Sequence, residues 1–331
     1  MKKLVIGIIV SAVFIYFSIG GIDFAKVLLN LKDIRYSLLL PTVLIFLFVI
    51  LLRSLRWEVI LSPIEKVNQK KLFPITCIGF MGIALMPLRI GEFVRPYLVS
   101  TKSNIPLSSA IATILVERVF DMLVLIAIMA VVIMNGNYPP WIIKSGYIIF
   151  IILNLVIICL YLFYFKTEQM LRLLTPVLKV FPKKFKEALE GLIKTFAEGF
   201  TILASPKKLI FTVLFSVCIW FFSGFAIYSL FYLSGLSLSL VSAFAVLVIT
   251  MLGVSLPSAP GFLGNFQFAC IFALSTFNVS RSEAFAFSMV YYLIAIGINV
   301  LAGLLFLPFH KFSLTEMKKV FTVESLSLRK Q

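Results

Sequence analysis

The chain has 331 residues, of which 61% are hydrophobic, 15% aromatic and only 13% charged, and its mean hydropathy is +1.08. Soluble domains carry about 25% charged residues, so this composition excludes an ordinary soluble protein, a disordered chain and a disulfide-rich scaffold. Lys and Arg outnumber Asp and Glu by 30 to 14, a net charge of +16, which in a membrane protein is typical of cytoplasmic loops rather than of a nucleic-acid-binding surface. We therefore predict an all-α polytopic membrane protein that binds no nucleic acid.

Six apolar segments predict full transmembrane helices, because each is long enough to cross a bilayer core of about 30 Å. The first follows Lys2 and Lys3 as the core of a signal peptide would, but no small-x-small cleavage site follows it cleanly, so we predict a retained helix. The six segments lie at about 4–21, 37–57, 105–134, 146–165, 208–233 and 284–309.

Two further hydrophobic segments, at about 73–100 and 240–277, are interrupted by Pro and Gly. Lipid cannot satisfy the backbone groups that such residues free, so the interrupted backbone has to face protein or a water-filled cavity. These segments are predicted to be broken or re-entrant hairpins. The interrupting residues are Pro87 and Gly91 in the first, and Pro257, Pro260, Gly261 and Gly264 in the second.

The distribution of basic residues predicts the orientation. Residues 166–208 carry nine Lys or Arg against four Glu, and residues 310–331 carry five basic against two acidic residues. The stretch 135–145 has one charged residue and 234–239 has none. The positive-inside rule places both basic regions and the N-terminus in the cytoplasm, provided that each hairpin enters and leaves on one face. The expected location is the cytoplasmic (inner) membrane.

This orientation defines the domain organisation. Residues 1–310 are predicted to form a single transmembrane domain, followed by a basic cytoplasmic tail at 311–331. Within the basic loop 166–208, apolar residues from Phe185 to Phe200 recur at helical spacing. They predict an amphipathic helix that either lies on the inner membrane surface or packs beneath the bundle.

A short sequence echo suggests that the two hairpins belong to related units. Gly82-Ile83-Ala84-Leu85 precedes the break of the first hairpin, and Gly253-Val254-Ser255-Leu256 precedes that of the second. Each hairpin lies between two crossings, and the two units have opposite predicted orientations, which is typical of an inverted repeat. A chance match between apolar segments is the alternative.

Charged residues inside the hydrophobic segments come in three groups. Each such residue raises the free energy of membrane insertion by about 2.5–3.5 kcal/mol when it lies at a helix centre. Arg53 and Arg56 lie with Trp57 near the inner end of the second crossing. They are expected either to extend to anionic headgroups at the interface or to contact a lipid phosphate.

The second group is Arg89, Glu92 and Arg95, beside Gly91 in the first hairpin. If the residues after Gly91 are helical, the three share one face. Arg offers planar, bidentate donors that match a phosphate, so this group predicts an anion site. An ordinary cytoplasmic turn with a surface ion pair is the alternative.

The third group is Glu117, Arg118 and Asp121 in the middle of the third crossing. The two carboxylates lie one helical turn apart on one face and need partners, of which Arg89 and Arg95 are the nearest in sequence. We predict a buried network that joins hairpin to crossing. It either only holds the hairpin or also titrates during transport.

The second hairpin carries no charge, but its broken helix ends can direct positive dipole ends at an anion. A purely structural kink is the alternative. The only histidine, His310, and four widely separated cysteines predict no metal site, and no catalytic motif or cofactor motif is present, so we expect no enzyme activity and no cofactor. The candidate binding residues here are Pro260, Gly261, Gly264, Asn265 and Gln267.

Together these motifs resemble the transmembrane region of the lysylphosphatidylglycerol synthases, a flippase-like family, over most of the chain. The resemblance implies lipid translocation without lipid synthesis, because the soluble aminoacyl-transferase half of the fused enzymes is absent. Family members usually carry Glu where Gln267 stands and often Arg near Tyr291 and Tyr292. The resemblance rests on Arg53 with Arg56-Trp57, Pro87-x-Arg89-x-Gly91-Glu92-x-x-Arg95, Glu117-Arg118-x-x-Asp121 and Pro260-Gly261-x-x-Gly264.

The leading hypothesis is a carrier that moves a phospholipid or a polyprenyl-phosphate-linked lipid between leaflets. Arg89, Arg95 and Arg56 are expected to hold the phosphate, and Glu117, Arg118 and Asp121 to anchor or gate it. The expected partners are an anionic membrane lipid, a lipid-synthesis enzyme and further copies of the chain. The alternatives are a secondary transporter of a small soluble anion and a membrane partner of a lipid-modifying enzyme.

Overall fold

A computed structural model describes residues 2–86, 91–134, 198–256 and 259–310, with isolated residues between 144 and 194. The regular elements of this described part are all helical, as predicted. The principal helices are α1 (Lys2–Ile19), α2 (Phe24–Lys32), α3 (Leu39–Leu61), α4 (Gln69–Leu85), α5 (Val94–Lys102), α6 (Leu107–Met134), α7 (Pro206–Leu233), α8 (Leu240–Ser255), α9 (Asn265–Ser275) and α10 (Arg281–Phe306).

Four sequence-based predictions lie wholly or mostly outside the described residues and stay predictions. They are the crossing at 146–165, the amphipathic helix of the 166–208 loop, the position of Arg89, and the tail at 311–331.

Three of the predicted crossings are confirmed as helices that are long and apolar enough to span a bilayer. They are Tyr36–Leu61, which includes a short 3-10 turn before α3, Pro206–Leu233 and Arg281–Phe306. The predicted crossing at 105–134 is the continuous 28-residue α6, about 42 Å long. The total of six crossings stays a prediction.

The first helix ends at a sharp bend. The axis turns by 86° between Ile9–Ile19 and Phe24–Lys32. The Ser11 hydroxyl of α1 accepts a hydrogen bond of 2.8 Å from the backbone N–H of Ala259. The rings of Phe14 and Phe268 lie 4.8 Å apart. The N-terminal helix is therefore an integral part of the bundle, packed on the second hairpin.

Both interrupted segments are pairs of helices that pack side by side. α4 ends at Leu85, α5 begins at Val94, and the two are in contact. α8 ends at Ser255, a 3-10 turn follows at Pro260–Phe262, and α9 packs back on α8. At nine residues, or about 14 Å, α5 is too short to cross a bilayer core. The prediction of two broken hairpins is confirmed.

The two breaks lie against each other. Gly261 has φ +74°, and a Cβ atom there would lie 2.6 Å from Tyr292 Oη and 3.6 Å from the carbonyl oxygen of Ala84. Only glycine combines this left-handed backbone with so close an approach. Because Ala84 belongs to the last turn of α4, the break of the second hairpin packs at the break of the first.

The helices form two units, α3–α6 and α7–α10, in which the hairpin helices begin at the same interval along the sequence. Leu240, which begins α8, lies 171 positions after Gln69, which begins α4, and Asn265, which begins α9, lies 171 positions after Val94, which begins α5. Helix contacts keep the same correspondence: α4 packs on α10 as α8 packs on α6, and α3 packs on α4 as α7 packs on α8.

The helices that begin the two units are antiparallel. Thr42 Oγ1 lies 2.6 Å from Ser229 Oγ near the start of α3, and the Phe48 and Phe222 rings lie 5.0 Å apart further along. Near the end of α3, Arg56 donates to Ser216 Oγ at 2.9 Å. Residue numbers thus rise on α3 as they fall on α7. This is the antiparallel relation that an inverted repeat requires.

We expect Gly261→Ala to lower the free energy of unfolding by about 1–3 kcal/mol, because it forces a Cβ into a left-handed backbone position beside Tyr292 Oη. The matched control is Gly297→Ala, within α10, where an added Cβ has no neighbour within 4 Å and helix propensity favours Ala by about 0.5–1 kcal/mol. Thermal unfolding in detergent measures both. Equal stability of the two variants would contradict the packing of the breaks.

Candidate functional site

The charged residues predicted from the sequence converge in one region, where α3, α5, α6 and α7 meet. α6 places Glu117 and Asp121 on one face, one turn apart, and α3 places arginines opposite them. The described members of this cluster, which we call the charged cluster, are Arg53, Arg56, Glu92, Arg95, Glu117, Arg118 and Asp121.

One buried ion pair joins the first hairpin to α6. Arg95 donates from Nη1 to Glu117 Oε2 at 2.8 Å and from Nη2 to Oε1 at 3.2 Å, and both residues are 1% exposed. The guanidinium also lies 4.2 Å from the ring centroid of Trp57. Gly79 makes room, since a Cβ there would lie 2.0 Å from Arg95 Cγ. The predicted buried network between hairpin and crossing is confirmed.

A second buried pair joins α3 to α6 and α7. Arg56 donates to Asp121 Oδ1 at 2.6 Å and to Oδ2 at 3.3 Å, and Trp220 Nε1 donates to Asp121 Oδ1 at 2.9 Å. Arg56 is 1% exposed, so the interpretation in which it reaches interfacial headgroups is wrong. Among the arginines that the structure describes, the one hydrogen-bonded to Asp121 is Arg56 rather than Arg95.

A cavity of about 210 Å³ lies between the two units. Its charged wall comes from the first unit and holds Arg53, Glu92 and Arg118. Arg56, Arg95, Glu117 and Asp121 support this wall from behind and do not line the cavity. The remaining lining includes Phe80, Trp220, Phe262, Phe266, Tyr291 and Asn299.

Arg53 has no carboxylate partner within the part of the chain that the structure describes. Its guanidinium lies 5.3 Å from the ring centroid of Phe80 and 5.4 Å from that of Trp220. Ring faces bind the flat surface of a guanidinium and leave the N–H groups at its edge available. Arg53 can therefore donate to a ligand in the cavity.

Arg118 is only loosely paired. Its Nε lies 3.8 Å from Glu92 Oε2 and its Nη1 lies 3.7 Å from Asp121 Oδ2, distances too long for hydrogen bonds. The buried Nε makes no hydrogen bond. The Nε atoms of Arg56 and Arg95 also lack a hydrogen bond, but their Nη groups donate to carboxylates. The Nη groups of Arg118 make no such hydrogen bond to a described carboxylate, so Arg118 also retains donors.

The candidate residues of the second hairpin shape the break without lining the cavity. Pro260 and Gly261 form the 3-10 turn, and Asn265 Nδ2 donates to the carbonyl of Gly253 at 3.4 Å. The backbone N–H of Gly264 donates to Gln267 Oε1 at 2.8 Å, a cap that Glu and Gln both provide. Gln267, at a position where family members usually carry Glu, therefore still makes this capping contact.

Several cavity residues, among them Phe262 and Phe266, were not identified from the sequence. Phe262 and Phe266 lie in the second hairpin and line the cavity opposite the arginines. Their four-residue spacing on either side of Gly264 was the available signal. Because phenylalanine is so common in this chain, with 34 residues, this spacing could not be distinguished from chance. Among the residues described, no group of three or more His, Cys, Asp or Glu is placed to hold a metal.

The sequence model of the protein family described as the lysylphosphatidylglycerol synthase TM region matches residues 4–321 of this chain. The chain belongs to this family. It is a multi-pass membrane protein, as the family and the apolar helices show. No solved structure matches the chain.

Three curated relatives are similar to the chain over different lengths. A UPF0104 membrane protein of Methanocaldococcus jannaschii is 28% identical over 226 residues, covering 66% of this chain and 90% of the relative. A UPF0104 membrane protein of Methanothermobacter thermautotrophicus is 25% identical, covering 95% and 96%. The glycosyltransferase AglD of Haloferax volcanii is 32% identical over 117 residues, only 34% of this chain and 18% of that protein.

We expect Glu117→Gln to destabilise the protein by about 3–5 kcal/mol, because it leaves the buried guanidinium of Arg95 without a counterion. The double variant Arg95→Met/Glu117→Gln should recover at least half of that loss, since no buried charge of this pair remains unpaired. Thermal unfolding in detergent measures both.

The control for this prediction is Lys26→Ala, which removes an exposed pair with Asp23 whose side chains are 70% and 51% exposed. Such pairs contribute less than about 1 kcal/mol. A Glu117→Gln variant as stable as this control would show that the buried pair does not hold the hairpin.

Proposed function

We propose that this protein moves a phosphate-bearing lipid between the leaflets of the cytoplasmic (inner) membrane, and that Arg53 is the main ligand of the phosphate. The observation that carries the proposal is the guanidinium of Arg53, which faces the cavity between two inverted units with ring faces as its described contacts. Carriers built from inverted repeats place their substrate site at the interface of the repeats, near broken helices.

The chemistry of the charged wall favours phosphate. Arginine presents several N–H donors in one plane, which match two phosphate oxygens at once. Arg53 supplies these donors from α3, and Arg118 adds donors from α6. Arg56 and Arg95 act in this proposal as fixed supports, because their donors are directed at Asp121 and Glu117.

The remainder of the cavity favours a lipid. At about 210 Å³, it accommodates a headgroup but not acyl or prenyl chains, which have to remain in the surrounding apolar phase. The aromatic lining from the second unit offers an apolar surface opposite the phosphate site. The family takes its name from an enzyme that makes a phospholipid, which supports a lipid substrate, supplied here by a separate synthesis enzyme.

The test is lipid exchange in liposomes that contain the purified protein and fluorescent phosphatidylglycerol or a fluorescent polyprenyl phosphate. Arg53→Gln should slow exchange by between about tenfold and a hundredfold, because a charge-assisted hydrogen bond contributes about 1.5–3 kcal/mol. The matched control Arg35→Gln removes an exposed arginine from the α2–α3 connection and should leave the rate unchanged.

Two results would contradict the proposal. One is equal exchange by Arg53→Gln and the unmodified protein. The other is uptake of a soluble organic phosphate without any lipid exchange, which would support the soluble-anion transporter instead.

A further inference from the structure

The charged wall of the cavity contains an acidic residue whose role phosphate binding does not explain. Glu92 lines the cavity beside Arg53 and Arg118, and its side chain is 22% exposed. A carboxylate repels a phosphate group at short range. Glu92 therefore needs a role other than direct ligand of an anionic headgroup.

The geometry of Glu92 differs from that of the two buried carboxylates. Glu117 and Asp121 accept arginine hydrogen bonds of 2.8 Å and 2.6 Å at sites almost without solvent exposure. Glu92 lies 3.8 Å from the Nε of Arg118, whose side chain is 27% exposed. The Glu92–Arg118 pair is therefore longer than the other two and more exposed to the cavity.

The backbone on either side of Glu92 is held in place. Gly91 packs against the backbone of Gly82, where a Cβ on Gly91 would lie 2.1 Å from the Gly82 carbonyl carbon. Arg95, three residues further on, is locked to Glu117. Any change in the distance between Glu92 and Arg118 therefore comes from side-chain rotation rather than from movement of the hairpin backbone.

The charge of the cluster supplies a reason for a carboxylate at this place. Without Glu92, the described cluster would hold four guanidinium groups, of Arg53, Arg56, Arg95 and Arg118, against two carboxylates. Uncompensated charge inside a membrane is costly, and Glu92, 3.8 Å from Arg118, lowers the net charge of the described cluster from +2 to +1.

We infer that Glu92 is an internal counterion that occupies the anion site of the empty cavity and that the phosphate of a substrate displaces from Arg118. This inference rests on the proposed function and adds a regulator of the same site. Glu92 lowers the affinity for anionic headgroups when they bind, and it promotes their release by returning to Arg118.

The test is a titration of the purified protein with dihexanoyl phosphatidylglycerol, followed by intrinsic fluorescence in a Trp57→Phe/Trp141→Phe background. Its remaining tryptophan, Trp220, lines the cavity. Glu92→Gln should bind the probe roughly tenfold more tightly, a change of about 1.4 kcal/mol. Glu92→Asp, which keeps the charge, should stay within about threefold of the unmodified protein. Dihexanoylglycerol, which has no phosphate, should give no difference between the variants.

Two controls make the result specific. Asp33→Asn removes a carboxylate from an exposed position after α2 and should leave affinity unchanged. In an Arg118→Gln background, the gain from Glu92→Gln should disappear, because Glu92 acts through Arg118. Should Glu92→Gln fail to fold, as judged by thermal unfolding, Glu92→Ala takes its place with the same expectation.

Lipid exchange in liposomes adds a second measurement. Glu92→Gln should lower both the half-saturating lipid concentration and the maximal rate, since the headgroup binds more tightly and leaves more slowly. A merely structural role would lower the rate without tightening binding.

The outcomes separate this inference from the proposed function. If the unmodified protein binds phosphatidylglycerol and Glu92→Gln binds it no more tightly, the counterion role is wrong and the anion site stands. If neither protein binds the probe, the proposed phosphate site is wrong and the counterion role with it.

Discussion

Burial of charge inside an apolar bundle is the constraint on which the rest of this structure depends. Arg56 with Asp121 and Arg95 with Glu117 form two hydrogen-bonded pairs at almost no solvent exposure. Such pairs add little net stability, because desolvation offsets attraction, but the loss of one partner is costly. They therefore select the arrangement of α3, α5 and α6 in which Arg56 meets Asp121 and Arg95 meets Glu117.

These fixed pairs determine what remains for a ligand. Because Asp121 is shared by Arg56 and Trp220, it is too distant for a hydrogen bond to Arg118, and Arg53 has ring faces rather than a carboxylate beside it. The break of the second hairpin closes the cavity from the other side, where Gly261 packs beneath Tyr292. Rigid support and available donors thus come from different arginines of one cluster.

Local chemistry made part of this structure predictable. Pro and Gly within apolar segments revealed both hairpins, and two carboxylates one turn apart in α6 required a buried cationic partner. The identity of the partners was less accessible, because Arg56 and Trp220 lie 65 and 99 positions from Asp121 and meet it only through packing of α3 and α7 on α6. Packing between helices also explains why Arg53 and Arg56, which the sequence analysis grouped together, have different environments although they are only three residues apart.

The equal spacing of the two units places unlike residues at corresponding positions. Phe266 and Tyr292 stand 171 positions after Arg95 and Asp121, so at these two positions the second unit has an aromatic ring where the first has an ion. None of the other charged residues of the cluster has a charged counterpart at this spacing either. The duplicated scaffold is thus symmetric in its backbone and polarised in its chemistry. For the carrier that we propose, if it alternates by exchanging the roles of its halves, such polarity would give the inward-facing and outward-facing conformations unequal free energies, so that the unloaded molecule would rest preferentially in one of them.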